Sequence, residues 1–214
     1  MAENLDLSQR EKEALNFLDR DFNQCFQQMR HYDGQIFEIC KFGFLGYTSL
    51  TGTALAAYQF GLKEGHSFQI AIITTLSIAT VFGFFLFALG VRNRVYFVQV
   101  ARYINEQRKL FLAIKPLGFS NQSRLYTDPT QPPFFNWRSS QACFLYLIGS
   151  LNGVLVAVLA FVVSPLGTEI CRAICSGLCV TVFQLVCGIS YLKSRERKSA
   201  EAAVFGKATS SPNV

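Results

Sequence analysis

Charged side chains are scarce in this chain of 214 residues. Asp, Glu, Lys and Arg make up 16% of it, against roughly 25% in an ordinary soluble domain. Half of the residues are hydrophobic and 21 are Phe. This composition is typical of a chain that spends much of its length in lipid, and it argues against an ordinary soluble domain.

Catalytic and metal-binding motifs are also missing. The sequence contains no Walker loop, no G-x-S-x-G, no H-E-x-x-H and no C-x-x-C pair. The two histidines, His31 and His66, fall on opposite sides of the membrane in the topology derived below, so they cannot share a metal. We therefore expect a protein that is not an enzyme, with no catalytic residue, no cofactor and no metal site.

Four windows without charge are long enough for a helix to cross the hydrocarbon core, which takes about 20 residues. The alternative, four buried helices of a soluble bundle, is disfavoured because such long charge-free stretches are rare in soluble folds. We predict an all-α fold, an integral membrane four-helix bundle. Its transmembrane helices 1 to 4 are placed at residues 37–62, 68–91, 141–164 and 171–192.

The distribution of basic residues predicts the orientation. Segment 92–138 carries eight basic residues against Glu106 and Asp128, so it accounts for the whole net charge of +6. The segment after residue 192 also begins with a basic cluster. Because Lys and Arg gather in cytoplasmic loops, both termini are predicted to lie inside, N-in and C-in, and the outer face is two short turns. The predicted location is a multi-pass membrane protein, in the inner (plasma) membrane if the chain is bacterial.

Residues 1–36 are predicted to form a cytoplasmic amphipathic helix. Ser8 and Glu11 make a capping box. A seam of apolar residues at spacings of three and four follows, comprising Leu15, Leu18, Phe22, Cys25, Met29, Tyr32 and Ile36. The seam has two interpretations, packing on the protein's own cytoplasmic region or a self-associating coiled coil.

The other cytoplasmic segments are the basic helix and loop at 92–138 and a tail at 193–214, which is predicted to be disordered. Residues 92–114 continue the second span without Gly or Pro and are expected to extend it as one long helix. The N-terminal 36 residues hold seven acidic and four basic residues, whereas segment 92–138 has the opposite excess. We therefore expect the two segments to dock as a cytoplasmic helical layer, with charge complementarity orienting them.

Two groups of residues in segment 92–138 are candidates for binding. The first is a basic group that would form a surface for a partner, nucleotide or phosphate: Arg92, Arg94, Arg102, Arg108 and Lys109. Its other interpretation is positive-inside topology with anionic-lipid contact. The second group is predicted to be an interfacial anchor, with an aromatic ligand pocket as the alternative: Phe134, Phe135, Trp137 and Arg138.

No ionisable residue lies in the middle of a predicted span, which argues against a transporter or a proton pump. The spans instead carry small and polar residues. Two stripes stand out, Gly149, Asn152 and Gly153 in span three and Gly177, Thr181 and Gln184 in span four. Small residues allow close helix approach and amides hydrogen-bond across it, so the stripes pack within one bundle, form a subunit contact or line a neutral pore in an oligomer.

The layout of the chain resembles small prokaryotic membrane effectors and sensors of anti-phage systems, including the group with SLATT-type spans. The resemblance is carried by the exit of span two, RNRVYFVQVARYINEQR (92–108), and by the amphipathic helix before span one. It implies oligomers that permeabilise or depolarise the inner membrane when a cytoplasmic partner or signal is sensed. No fused sensor domain is expected here, so a signal would come from a partner protein.

The leading hypothesis from sequence is a non-enzymatic oligomeric membrane protein. It would be a pore-forming or depolarising effector or sensor, an ion channel of antiviral defence, controlled from the cytoplasm. The alternative is a membrane scaffold that recruits a soluble partner and conducts nothing. The expected partners are membrane lipids, further copies of the chain and a soluble cytoplasmic protein, and no nucleic acid is expected.

Overall fold

The computed structural model of the chain describes residues 9–65, 67–113, 121–122, 126–164 and 170–208. These residues contain four α-helices and no β-strand. Helix α1 comprises Gln9–Glu64, α2 Gln69–Ala113, α3 Ser140–Val163 and α4 Ile170–Ala208. The all-α prediction is confirmed for this part of the chain.

Three of the helices, α2, α3 and α4, are long and apolar enough to cross a membrane. Helix α1 is not among these three. Its candidate span at 37–62 has no charge between Lys41 and Lys63, but its hydroxyl residues and glycines lower the mean hydropathy. The first of the four predicted spans therefore stays a prediction.

Local sequence signals explain where the helices begin and end. The side chain of Ser139 caps α3 by accepting a hydrogen bond from the backbone N–H of Ala142. Ser164, the residue before Pro165, has the extended ψ of 140° that a following proline imposes, so α3 ends at Val163. Gly65 follows α1 with a φ of +68°, the left-handed conformation common after a helix. Ser8 of the predicted capping box lies outside the described residues.

Two long helices each join segments that were predicted separately from the sequence. Helix α1 runs without interruption across residues 36 and 37, where the amphipathic helix was expected to meet the first span. Helix α2 continues from the second span into the basic segment, which confirms the expected single long helix.

The C-terminal segment differs from its prediction. Helix α4 continues to Ala208, whereas the sequence predicted disorder over 193–214. The segment KSRERKSAEAA (193–203) consists mainly of Lys, Arg, Glu and Ala, which are strong helix formers, and this explains the extension. Residues 209–214 lie outside the described residues.

The chain divides into two compact units, each described by itself below. Unit 1 comprises the described residues of 1–34 and 96–133, and unit 2 those of 35–95 and 134–214. Unit 1 therefore holds the beginning of α1 and the end of α2. Unit 2 holds the rest of these two helices together with α3 and α4.

In unit 1 the two helical segments pack against each other, as predicted. The carboxylate of Asp21 accepts hydrogen bonds from Tyr103 Oη at 2.9 Å and from Gln107 Nε2 at 2.6 Å. The rings of Tyr32 and Tyr96 stack with their centroids 5.7 Å apart. The contact thus rests on one carboxylate with neutral donors and on aromatic stacking.

The predicted seam of α1 is the side of the helix that packs. Every seam residue from Leu15 to Tyr32 is half-buried, and Ile36 is buried. The same spacing continues in unit 2 through Cys40, Gly43 and Tyr47. The structure therefore uses the seam within one chain, in agreement with the first of its two interpretations.

The helices of unit 2 approach each other closely at glycines. The ring of Phe82 on α2 lies against Gly46 of α1, where a Cβ would come within 2.5 Å of it. The ring of Phe87 on α2 lies against Gly149 of α3 and Gly188 of α4. Large side chains of α2 thus fill the space left by glycines on the other three helices.

A cysteine pair tests the packing of unit 1. Because the rings of Tyr32 and Tyr96 stack, Tyr32→Cys with Tyr96→Cys, in a background without native cysteines, should be joined efficiently by a short bifunctional thiol reagent. The pair Gln24→Cys and Gln99→Cys, at exposed positions, is the matched control. Cross-linked peptides are quantified by mass spectrometry. Equal yields from the two pairs would contradict this packing.

Candidate functional site

The closest approach between helices in unit 2 joins the two stripes of small residues. A Cβ on Gly177 of α4 would lie 2.5 Å from the carbonyl oxygen of Gly153 on α3, and the reverse distance is 2.6 Å. Thr181 Oγ1 donates to the carbonyls of Gly177, at 3.1 Å, and of Gly149, at 3.4 Å. The backbones of α3 and α4 are therefore almost in contact, as small residues permit.

One helical turn away, three polar side chains form a buried chain of hydrogen bonds. Tyr47 Oη of α1 donates to Asn152 Oδ1 of α3 at 2.5 Å. Asn152 Nδ2 in turn donates to Gln184 Oε1 of α4 at 3.2 Å. Asn152 has no exposed surface and Gln184 is 3% exposed. The amide of Asn152 thus connects three helices inside the bundle.

The fourth helix contributes a glycine at the same place. Gly83 of α2 lies directly beside Tyr47 Oη and Asn152 Oδ1, in a position where a Cβ would collide with both atoms. A residue without a side chain is therefore needed for all four helices to meet around this hydrogen bond. Tyr47 and Gly83 were not predicted from the sequence, although extending the seam of α1 beyond Ile36 would have pointed to Tyr47.

The burial of the two stripes supports one of their three interpretations. Gly149, Asn152, Gly153, Gly177 and Gln184 are all buried inside a single chain, and Thr181 is half-buried. Asn152 has no exposed surface, so in this arrangement it lines no pore and contacts no other subunit. In this arrangement the stripes pack within the bundle, the first of the three interpretations given above.

One polar atom of this cluster has no partner. Gln184 Nε2 is buried and donates to no acceptor among the described residues. An unmade hydrogen bond at a buried amide costs about 1–3 kcal/mol. The cluster is therefore well connected on the side of Tyr47 and incompletely satisfied on the side of α4.

An apolar groove of about 1350 Å³ lies beside this cluster in unit 2. It is lined by the end of α1, the beginning of α2 and the end of α3, including Ala54, Ile72 and Val158. Two of its polar lining side chains bond within the protein: Thr51 Oγ1 donates to a carbonyl of its own helix, and Gln69 Nε2 donates to the carbonyl of Val162. These two residues therefore add little polarity to the groove.

Two of the predicted basic surface residues are buried. Arg94 is 5% exposed, and its guanidinium donates to the carbonyl of Phe134 and to Gln141 Oε1, both at 3.0 Å. Arg102 is 8% exposed, and its Nε donates to the carbonyl of Pro132 at 3.1 Å. These arginines hold the loop that follows α2, so they do not belong to a binding surface as predicted.

The same loop is held by a neighbouring amide. Asn105 Nδ2 donates to the carbonyls of Asp128, at 3.0 Å, and of Gln131, at 2.8 Å. The carboxylate of Asp128 accepts hydrogen bonds from the backbone N–H and the hydroxyl of Thr130, and these bonds lower the pKa of Asp128. The loop of unit 1 is thus fixed on α2 by side chains that satisfy its backbone.

The remaining basic residues keep access to solvent. Arg92 and Lys109 are exposed and Arg108 is half-buried. The guanidinium of Arg108 lies 5.5 Å from the ring centroid of Phe22 and 5.4 Å from that of Tyr126. Two of the five predicted residues therefore have structural roles, and the other three keep exposed or half-buried side chains.

The predicted interfacial anchor also divides into buried and exposed parts. Phe134 is buried, and its backbone N–H donates to Glu196 Oε2 at 2.8 Å, so it belongs to the interior. Trp137 is 66% exposed and its ring packs edge-on against Phe135, with centroids 5.0 Å apart. Arg138 is exposed. Only the last two residues present the aromatic and basic surface typical of a lipid headgroup layer.

The packing of α1 against α2 within unit 1 depends on a residue that was not predicted from the sequence. Asp21 accepts the hydrogen bond from Tyr103, and this bond raises the pKa of the Tyr103 hydroxyl. Asp21 lies next to the predicted seam, between Leu18 and Phe22. An acidic residue bordering an apolar seam is the signal that would have found it.

Metal binding receives no support from the side chains that the structure describes. No group of three or more His, Cys, Asp or Glu side chains is placed to hold a metal there. Cys171, Cys175, Cys179 and Cys187 are exposed along α4. These cysteines face outward, whereas the neighbouring Gly177 and Gly188 contact α3 and α2.

No family model, no curated protein and no solved structure matches this chain. The resemblance of its layout to anti-phage membrane effectors therefore stays a prediction. The functional argument rests on the side chains described above.

Substitution of Gly177 tests the close approach of α3 and α4. Gly177→Ala would place a methyl group against the backbone of Gly153, and we expect a loss of about 1–3 kcal/mol in the free energy of unfolding. Gly52→Ala is the control, because a Cβ at this position of α1 meets nothing within 4 Å. Thermal unfolding in detergent, followed by circular dichroism, measures both. Similar melting temperatures for the two variants would contradict the contact.

The buried hydrogen bonds are tested by Tyr47→Phe and Asn152→Leu. Tyr47→Phe removes one interhelical hydrogen bond, with an expected cost of about 0.6–1.7 kcal/mol. Asn152→Leu removes two and leaves the groups on Tyr47 and Gln184 unpaired, which costs more. Tyr58→Phe, at an exposed tyrosine of the same helix, should change nothing. Unfolding in mixed micelles gives the three values, and any other order would refute the role of Asn152.

Proposed function

We propose that the protein is a four-span membrane anchor that presents unit 1 in the cytoplasm as a platform for a soluble partner and conducts nothing. This is the scaffold alternative from the sequence. The proposal rests on the hydrogen bonds that link Tyr47, Asn152 and Gln184. Asn152 and Gln184, which were candidates for lining a pore, are bonded to each other inside a single polypeptide.

The side chains of α1 support its assignment as a membrane span in addition to α2, α3 and α4. Thr51 and Thr53 each donate their hydroxyl to a carbonyl four residues earlier in the same helix. A hydroxyl that is satisfied in this way needs no water, so it is tolerated in lipid. The low hydropathy of α1 is therefore compatible with a membrane span.

The contacts of unit 1 support a platform. The loop after α2 is fixed to the helix by Arg102 and Asn105, and the beginning of α1 is fixed to it by Asp21. These contacts give unit 1 a defined surface instead of a flexible tail. A rigid surface loses less conformational entropy when a partner binds.

Lipid contact fits the residues at the beginning of α3. Trp137 and Arg138 are exposed there, and their aromatic and basic side chains suit the headgroup layer on the cytoplasmic side. We assign them to membrane anchoring, in the inner (plasma) membrane if the chain is bacterial.

A second candidate function is the pore-forming, oligomeric effector. The observation in its favour is Gln184 Nε2, which is buried without an acceptor. A rearranged state in which water reaches this amide would satisfy the missing hydrogen bond and open a polar path between α3 and α4.

Ion flux separates the two functions. Proteoliposomes loaded with a potential-sensitive dye are expected to hold their membrane potential as well as empty liposomes, with a pore-forming peptide as the positive control. The solubilised particle, weighed by native mass spectrometry, is expected to be a monomer or a dimer.

A discrete particle of four or more copies together with a leak would refute the scaffold. Gln184→Leu then identifies the path, because abolition of the leak would assign it to the α3–α4 contact. As a matched control, Val182→Leu changes an exposed position on the same helix and should leave the leak unchanged.

A further inference from the structure

Arg108 in unit 1 has an environment unlike that of the buried arginines. Its guanidinium contacts two aromatic rings, those of Phe22 on α1 and Tyr126 in the loop. Arg102, by contrast, uses its guanidinium to hold a loop carbonyl. No described residue accepts a hydrogen bond from Arg108, and its side chain is only half-buried. The rings contact the guanidinium by cation–π attraction, which leaves its N–H groups available.

We propose that Arg108 binds a carboxylate on an acidic, amphipathic segment of the soluble partner, with Tyr126 and Phe22 holding its guanidinium in place. The inference rests on the proposed function only in placing unit 1 in the cytoplasm. A guanidinium presents a planar set of N–H donors that matches the two oxygens of a carboxylate. Because the rings already orient it, little side-chain entropy is lost when the carboxylate binds.

The charges around Arg108 favour a carboxylate over a phosphate. Lys109 is the adjacent exposed cation, but it interacts electrostatically with the carboxylate of Asp128. The carboxylate of Asp21 on α1 accepts a hydrogen bond from Gln107, the residue before Arg108. These two anions partly offset the local positive charge. A monoanionic carboxylate meets less repulsion there than a doubly charged phosphate.

The position of Arg108 argues against a lipid headgroup. Arg108 lies sixteen residues beyond Arg92, the first residue after the predicted second span, on the same helix. At a rise of 1.5 Å per residue this is about 24 Å of helix. The electrostatic attraction of a membrane surface is largely screened within about 8–10 Å at physiological salt. A soluble anion therefore fits this position better.

The ring of Tyr126 offers apolar surface beside Arg108. Tyr126 is 70% exposed, and its ring centroid lies 5.4 Å from the guanidinium of Arg108. An exposed ring at this position on a cytoplasmic surface would be covered by an apolar side chain of an amphipathic partner segment. Its acidic residues would then face Arg108 and Lys109.

The test uses the full chain in nanodiscs of uncharged phosphatidylcholine and a fluorescent helical peptide of Glu and Leu. Saturable binding is expected at physiological salt, measured by fluorescence anisotropy. The matching peptide of Gln and Leu should bind about tenfold more weakly or less, because it lacks the charge-assisted hydrogen bond. Arg108→Lys should weaken binding of the Glu peptide about tenfold, since Lys keeps the charge but not the planar donor set. Tyr126→Ala should also weaken it.

Arg20→Gln is the matched control, because it removes one positive charge from an exposed position of unit 1. It should change the affinity by less than about twofold, as expected for general charge at physiological salt. Circular dichroism establishes that each variant is folded. An equal effect of Arg20→Gln and Arg108→Lys, equal binding of the two peptides, or stronger competition by inorganic phosphate than by acetate would overturn the proposal. An intact membrane potential in proteoliposomes would leave the scaffold function standing in each of these cases.

Discussion

The amide of Asn152 is the constraint on which the arrangement of unit 2 depends. It has no exposed surface and bonds to Tyr47 on α1 and to Gln184 on α4. An interhelical hydrogen bond in a membrane contributes on average only about 0.6 kcal/mol. A buried amide left unpaired costs about 1–3 kcal/mol. The bonds therefore matter less for the stability they add than for the alternative packings they exclude.

The glycines follow from the same constraint. Tyr47 can reach Asn152 only because Gly83 leaves room beside the hydrogen bond, and Gln184 can reach it only because Gly153 and Gly177 let α3 and α4 approach. Each glycine lowers the helix propensity of its own segment. The stripes of small residues and the buried amides are thus parts of one contact.

The helices were predicted more accurately from the sequence than the contacts between them. The seam of α1, the continuation of α2 and the close approach implied by the stripes follow from spacing and residue size, which are local properties. Whether Gly149 and Asn152 face another helix of the same chain or a second subunit depends on the packing of all four helices. That information is not contained in the period of one helix. Arg94 and Arg102 illustrate the same limit, because their bonds to Phe134 and Pro132 join residues 40 and 30 positions apart.

The basic segment shows how like charges in one helix acquire different roles. Arg102 faces the loop and donates to the carbonyl of Pro132. Arg108, six residues later on the same helix, meets rings that offer no lone pair for its N–H groups. A guanidinium bonded to a carbonyl must give up that hydrogen bond to bind an anion, whereas one held by rings can bind an anion and keep its contacts. Whether an arginine holds the loop in place or is able to bind an anion therefore depends on which groups its side chain faces. The net charge of the segment does not reveal this difference.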